Sequence, residues 1–212
     1  MKKGSILCVL GIIYAVIISL LLKEFSEWNS NGTVNQFIEG HIFSIQKFLY
    51  VINIFFCIYL YVSKLPVLSP MFITRFSERS QYMKCLITIA LKNSFIFVIY
   101  TIIMYVGLPI LFGLQLYLTI DLSLNILQLF TYVFYMNLSY LVLIFLFNKQ
   151  MLAVLGVFIQ NFMILIILSS INLLISNKTA LNGLMLICSL INIMYIAIIY
   201  YYSNYKELLS EK

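Results

Sequence analysis

The sequence predicts an all-α integral membrane protein with six transmembrane helices and both termini cytoplasmic, and three observations carry that prediction. The chain is 63% hydrophobic and only 9% charged, well above the roughly half apolar content of a soluble domain. It divides into six apolar runs close to the ~20 residues a helix needs to cross the hydrocarbon core of a bilayer. Lys and Arg gather in alternate connections between those runs, as the positive-inside rule requires.

The runs cover residues 4–22, 43–63, 85–107, 125–147, 151–175 and 183–202 of a single transmembrane domain spanning 1–212. Lys2 and Lys3 precede the first. That run is too long for the apolar part of a secretory signal and no small-x-small cleavage site follows Leu22, so it reads as a retained helix. After it comes a polar stretch, "NSNGTVNQ", and then "FIEGHIF", which reads as a loop followed by an interfacial segment. Lys64, Arg75, Arg79 and Lys84 separate the second and third runs, Lys149 the fourth and fifth, and Lys206 and Lys212 follow the sixth, all on one face of the membrane. The opposite face holds Lys23, Lys47 and Lys178 beside Glu24, Glu27, Glu39 and Asp121. On that face residues 108–124 begin with Leu108-Pro109 and are apolar enough to lie on or dip into the outer leaflet.

Several enzyme classes are excluded by residue inventory, and the chain reads as no enzyme. The one histidine, His41, lies on the opposite face from Cys85, so the ~30 Å hydrocarbon core separates a would-be base from a would-be nucleophile. One histidine cannot supply a zinc-protease motif. No acidic residue lies inside a run, which removes an aspartyl pair, and no GxxxxGK[ST] phosphate loop is present. Cys8, Cys57, Cys85 and Cys188 lack CxxC spacing and read as small packing residues. Neither a metal nor another cofactor is expected in this chain.

Two groups of residues remain as candidate sites. The first is the connection after the second run. Ser69 can cap a short helix with Pro70 in its first turn, presenting Met71, Phe72, Ile73 and Phe76 as apolar contacts beside Arg75. Ser77 can then cap a second helix continuing through Arg79, Tyr82 and Lys84 into the third run. From pattern alone this is either a positive-inside loop lying on the membrane or a docking element with aromatic anchors rimmed by arginine. The second group is polar and buried in hydrocarbon: Asn53, Asn137, Gln160, Asn161 and Asn192 near mid-run, with Lys92 about two turns inside the third. These either hold helices together or line a wet path, and Lys92 either snorkels to the headgroups or faces a subunit seam.

The order of six runs and the segment "SPMFITRFSERSQYMK", residues 69–84, resemble the small type-2 ABC transporter permeases of Gram-positive bacteria, among them peptide-export and lantibiotic-immunity permeases. The resemblance implies a bacterial plasma membrane location. It implies that Pro70, Met71, Phe72, Ile73, Arg75 and Phe76, with Arg79 beyond them, form a cytoplasmic coupling helix seated in a cleft of a separate ATPase, which would hold ATP and Mg. A second copy or a paralogous permease and a hydrophobic or amphipathic peptide cargo are implied with it. The long amphipathic helix that precedes the first span in many such permeases has only residues 1–3 to represent it here. Two other readings stand beside this one: a substrate-binding subunit of an energy-coupling importer, which would dock through small residues such as Ala15 and Ser19 on the first helix, and a membrane immunity or scaffold protein that binds a peptide without transporting it.

Overall fold

The computed structural model describes residues 3–28, 32–41, 49–63, 79–147, 149–172 and 177–205, and in these the fold is all-α. Helix α1 is Lys3–Trp28 and the short α2 is Val34–His41. A π-helical turn, Leu49–Asn53, leads into α3, Ile54–Ser63. Helix α4, Arg79–Ile102, continues through a second π-helical turn, Ile103–Gly107, and a last α turn, Leu108–Leu111. Helices α5, α6 and α7 are Ile120–Phe147, Gln150–Asn172 and Asn177–Tyr205. Three helical stretches are long and apolar enough to cross a membrane, Cys8–Glu27, Gln81–Leu111 and Ile120–Phe147, and they point to a multi-pass membrane protein. Shorter apolar helical stretches are Val51–Val62, Gln150–Ile164 and Met185–Tyr201.

Helix α5 is the axis of the bundle. It packs against α4, α6 and α7, and from Tyr132 to Val142 every side chain except Phe134 is buried. A helix apolar all round belongs in the middle of a bundle rather than at its edge. Helix α3 leans on α6, and α1 leans on α3 through a narrow stripe of Tyr14, Ile18, Leu22 and Phe25 spaced three or four apart. Outside that stripe Val9, Ile12, Val16 and Leu20 are exposed. Exposed apolar side chains also cover one face of α6 (Met151, Leu155, Ile159, Ile166) and of α7 (Leu186, Leu190, Ile193), while Asn53, Ser94, Asn137, Ser139, Asn161 and Asn192 are buried. Apolar outside and polar inside is stable only where the surroundings are hydrocarbon, since exposed apolar area in water is unfavourable and an unpaired polar group in lipid is costly.

The helix ends are set by local chemistry that a hydropathy profile does not register. Helix α1 runs six residues past Leu22 because Lys23 and Glu27, one turn apart with 4.0 Å between Nζ and Oε1, continue it as a polar helix. Helix α2 starts inside the polar stretch, at a capping box: the Gln36 N–H donates to Thr33 Oγ1 (3.3 Å) and the Thr33 N–H donates to Gln36 Oε1 (3.0 Å). Its Val34, Phe37 and Ile38 are buried, and Phe37 packs on Phe25 and Tyr105 with ring centroids 5.5 and 6.0 Å apart. Beyond Pro109 the chain ends its helix in a Schellman turn. Gly113, at φ 87°, takes the left-handed position, its N–H donates to the Ile110 carbonyl (2.9 Å), and the Leu114 N–H donates to the Pro109 carbonyl (3.0 Å).

The segment between α4 and α5 is clasped to α2. The Val34 N–H donates to the Gln115 carbonyl (3.0 Å), Asn35 Nδ2 donates to the Tyr117 carbonyl (2.7 Å), and the Tyr117 N–H donates back to Asn35 Oδ1 (3.1 Å). Thr119 then caps α5 through the Leu122 N–H (3.2 Å). Backbone that is held this firmly still leaves Leu111, Leu118 and Ile120 exposed at 83%, 88% and 82%. Such a knob beside membrane-crossing helices is expected to lie among acyl chains. With Trp28 changed to Phe and Leu118→Trp as the sole indole, emission should be blue-shifted and quenched by brominated acyl chains; quenching by aqueous acrylamide instead would place the knob in water.

Candidate functional site

The buried amides and hydroxyls pair across helices in one layer of the bundle. Asn161 Nδ2 on α6 donates to Asn53 Oδ1 at the start of α3 (3.2 Å), and the Cys57 thiol approaches the same oxygen (3.5 Å). Asn137 Nδ2 on α5 donates to Ser94 Oγ on α4 (2.7 Å) and to its own helix at the Val133 carbonyl (3.3 Å). The Ser94 hydroxyl is free to accept because its own proton goes to the Ala90 carbonyl (2.8 Å).

Gln160, one residue before Asn161, joins three helices at once. Its Oε1 accepts from Ser139 Oγ on α5 (2.6 Å), and its Nε2 donates to the Tyr195 hydroxyl on α7. Tyr195 is stacked on Tyr135 of α5, centroids 6.0 Å apart. Asn192, one turn before Tyr195, donates to the Thr131 carbonyl (3.4 Å). Ser94, Ser139 and Tyr195 are members of this layer that hydropathy and spacing did not single out; a hydroxyl two residues from Asn137 and a tyrosine one turn from Asn192 were the available signals for the last two, and Ser94 had none.

Asn137 and Asn161 are wholly buried, at 0% exposure. Even so, Asn137, Asn161 and Asn192 each keep a side-chain oxygen without a partner. The layer therefore has the donors of an interhelical fastening and three acceptors to spare. Among the described residues it is built of neutral amides and hydroxyls with the Cys57 thiol beside Asn53, and what these groups offer is hydrogen bonding.

Lys92 is not part of this layer. It is exposed on α4 beside exposed Leu91, Phe95 and Ile96, away from the amides. Of the residues that the sequence offered as a docking element, Pro70, Met71, Phe72, Ile73, Arg75 and Phe76 lie outside the described residues, as does Ser77. Arg79 is the first residue of α4. The helix that starts at Arg79 packs on the central α5.

The Asn53–Asn161 pair tests which role the layer has. Breaking it by either Asn→Leu change alone is expected to cost ~0.6 kcal/mol, the average for hydrogen bonds between membrane helices. The double Asn53→Leu, Asn161→Leu change should be no worse than the single ones, because no orphaned amide remains. Unfolding in detergent–SDS mixtures measures both; fully additive losses would show that the two side chains do not interact.

No protein-family model matches this chain, and neither a curated protein nor a solved structure matches it.

Proposed function

We propose that this chain is the transmembrane permease subunit of an ABC transporter, moving a hydrophobic or amphipathic peptide with energy from ATP hydrolysed by a separate, Mg-dependent ATPase. In this reading the three long apolar helices and the three shorter apolar stretches are six spans, with both termini cytoplasmic. The observation that carries it is the segment 69–84, which resembles the coupling segment of small bacterial permeases and whose last residues, 79–84, begin α4. A push delivered at residues 70–76 would reach the start of α4, and α4 is tied to α5 by the Asn137–Ser94 bond. Rigid packed helices pass such displacements on as whole-body shifts. The spare amide oxygens of Asn137, Asn161 and Asn192 are sealed in this packing, and on a shift that parts the helices they would become acceptors for a cargo's backbone N–H groups. One chain supplies half of a pathway, so a second permease copy or a paralogue completes it.

Arg75→Glu combined with Phe72→Ala is the test. The double change removes an aromatic anchor and reverses the charge of a bidentate donor. Co-purification of the ATPase and cargo-stimulated ATP hydrolysis should both fall to background, whereas Arg79→Ala should be milder because headgroup phosphates can satisfy that guanidinium. Survival of the ATPase complex in the double variant would sink the coupling role of this segment.

An energy-coupling importer subunit is the second reading, and one feature favours it. Ala15 and Ser19 line an open groove of about 700 Å³ on α1, lined also by Phe112, Gly113 and Leu114. Under that reading Ala15→Leu, rather than the change at Arg75 and Phe72, would release the partner.

A further inference from the structure

Helix α4 with its extension is longer than a bilayer is thick, and the surplus carries a polar face. The stretch Gln81–Leu111 has 31 residues, which at ~1.5 Å each make ~46 Å, or ~43 Å at the ~20° average tilt of membrane helices, against ~30 Å of hydrocarbon. Exposed Leu111, Leu118 and Ile120 seat the far end among acyl chains, so the surplus of about ten residues stands at the Arg79 end. The tyrosines of α7 mark the same level independently. Helix α7 runs in the direction of α5, with Asn192 at Thr131 and Tyr195 stacked on Tyr135, and Asn137 of α5 meets Ser94 of α4. Exposed Tyr200 and Tyr201 therefore lie about one turn past Ser94 on the Arg79 side, at the height of Leu91 and Lys92. Amphipathic rings favour that boundary between hydrocarbon and headgroups.

From this boundary toward Arg79 the exposed side chains of α4 are Lys92, Leu91, Thr88, Lys84 and Gln81, on one face, with Ala90, Leu86 and Tyr82 buried behind them. In the other direction the same face continues as Phe95, Ile96, Ile99 and Ile103. It is cationic where headgroups lie and apolar where acyl chains lie. Thr88 spends its proton on the Lys84 carbonyl (2.8 Å), so the two ammonium groups are what the face offers an anion. Among the described residues neither lysine is ion-paired to a carboxylate; the pair found is Lys23 with Glu27. A second copy set alongside in the same orientation brings no described carboxylate to this height, because Glu24, Glu27, Glu39 and Asp121 belong to the opposite end of the bundle.

We propose that this face of α4 is a binding site for one anionic phospholipid. Its phosphate sits over the Thr88 turn between Lys84 and Lys92, which are ~12 Å apart along the helix axis, a gap that two flexible four-carbon stems close from either side. Its acyl chains lie along Phe95, Ile99 and Ile103, where Phe95 is braced edge-on against Phe130 of α5 with ring centroids 5.9 Å apart. A lipid held in this way fixes the height of α4 in the leaflet. The site stands whether or not the chain is an ABC permease.

The full-length protein in detergent, titrated separately with phosphatidylglycerol and phosphatidylcholine of the same acyl chains, tests it by native mass spectrometry and thermal midpoint. One phosphatidylglycerol should remain bound per chain, and it should raise the midpoint more than phosphatidylcholine or inorganic phosphate does. Lys84→Gln and Lys92→Gln should each weaken its binding about fivefold, the effect of one basic side chain near an anionic surface. The double change should leave phosphatidylglycerol no better bound than phosphatidylcholine. Lys84→Arg with Lys92→Arg keeps the charge and should keep the binding. Lys149→Gln removes an exposed charge from the same end of the bundle but off α4, and should change nothing. Equal binding of the two lipids overturns the proposal, as does an equal response to inorganic phosphate. So does a loss in Lys149→Gln as large as in Lys92→Gln, which would mean that overall charge attracts the lipid without a site on α4.

Discussion

Gln160→Leu is expected to lower the stability of the bundle by about 1–3 kcal/mol. Gln160 ties α5, α6 and α7 through one side chain, by way of Ser139 and Tyr195. Leucine has nearly the same volume, so packing is preserved and the loss is the hydrogen bonding itself. Two interhelical bonds disappear, each worth ~0.6 and at most ~1.7 kcal/mol between membrane helices, and two hydroxyls are left without their partner in a dry interior. Reversible unfolding in mixed micelles measures the difference. A useful contrast is Ser170→Ala, where the hydroxyl is exposed and bonds only to its own helix at the Ile166 carbonyl; a change within ~0.5 kcal/mol is expected there. A Gln160→Leu variant as stable as the parent would mean that the three-helix bond contributes nothing in the folded bundle.

Gly156→Val is expected to be as damaging, and for a steric reason. Gly156 lies where α6 crosses α5, and a Cβ there would stand 2.9 Å from Leu143 Cδ1 and 3.6 Å from Phe147 Cε2. The closest atom is the tip of a flexible leucine. Gly156→Ala should therefore be nearly neutral, since Leu143 can swing aside and alanine is ~1 kcal/mol the better helix former. Valine adds two further methyl groups in a stiff rotamer beside the same neighbours. Overpacking of this kind costs about 1–3 kcal/mol, and it should appear as a lower unfolding midpoint for valine and not for alanine. Equal midpoints for the two variants would show that α5 and α6 have slack at this crossing.

The helices were legible in the sequence because a run of some twenty apolar residues has few other uses, but their ends were not. Hydropathy marks where side chains stop being apolar, whereas a helix stops where its backbone is capped. So α1 passes Leu22 to reach Trp28, and α5 begins at Ile120, beside its Thr119 cap, instead of residue 125, whereas the polar lead-in from Arg79 through Tyr82 and Lys84 to the third run was readable and is helical in α4. The capping box at Thr33 and Gln36 was readable in "TVNQ", yet its place in a polar stretch hid the burial of Val34, Phe37 and Ile38 behind α1.

For the candidate site, composition identified which residues are awkward in hydrocarbon but not what each one meets. Asn53 and Asn161 are 108 residues apart, and no local spacing announces that they pair. Lys92 shows the limit from the other side. Its depth in the third run put it with the asparagines, but rotation about the helix axis puts it on the outer surface of α4, where a long stem can carry its charge toward the headgroups.

The 108-residue separation of Asn53 and Asn161 also has a meaning for biogenesis. Chains are synthesised at ~5–20 residues per second, so Asn53 emerges roughly 5–20 s before the amide that will satisfy it. Ser139 must likewise precede Gln160, and Gln160 must precede Tyr195. The polar layer is thus assembled from its N-terminal members waiting for C-terminal ones. Until α6 and α7 arrive, those waiting amides and hydroxyls need temporary hydrogen-bonding company, which the insertion machinery or a membrane chaperone would have to provide.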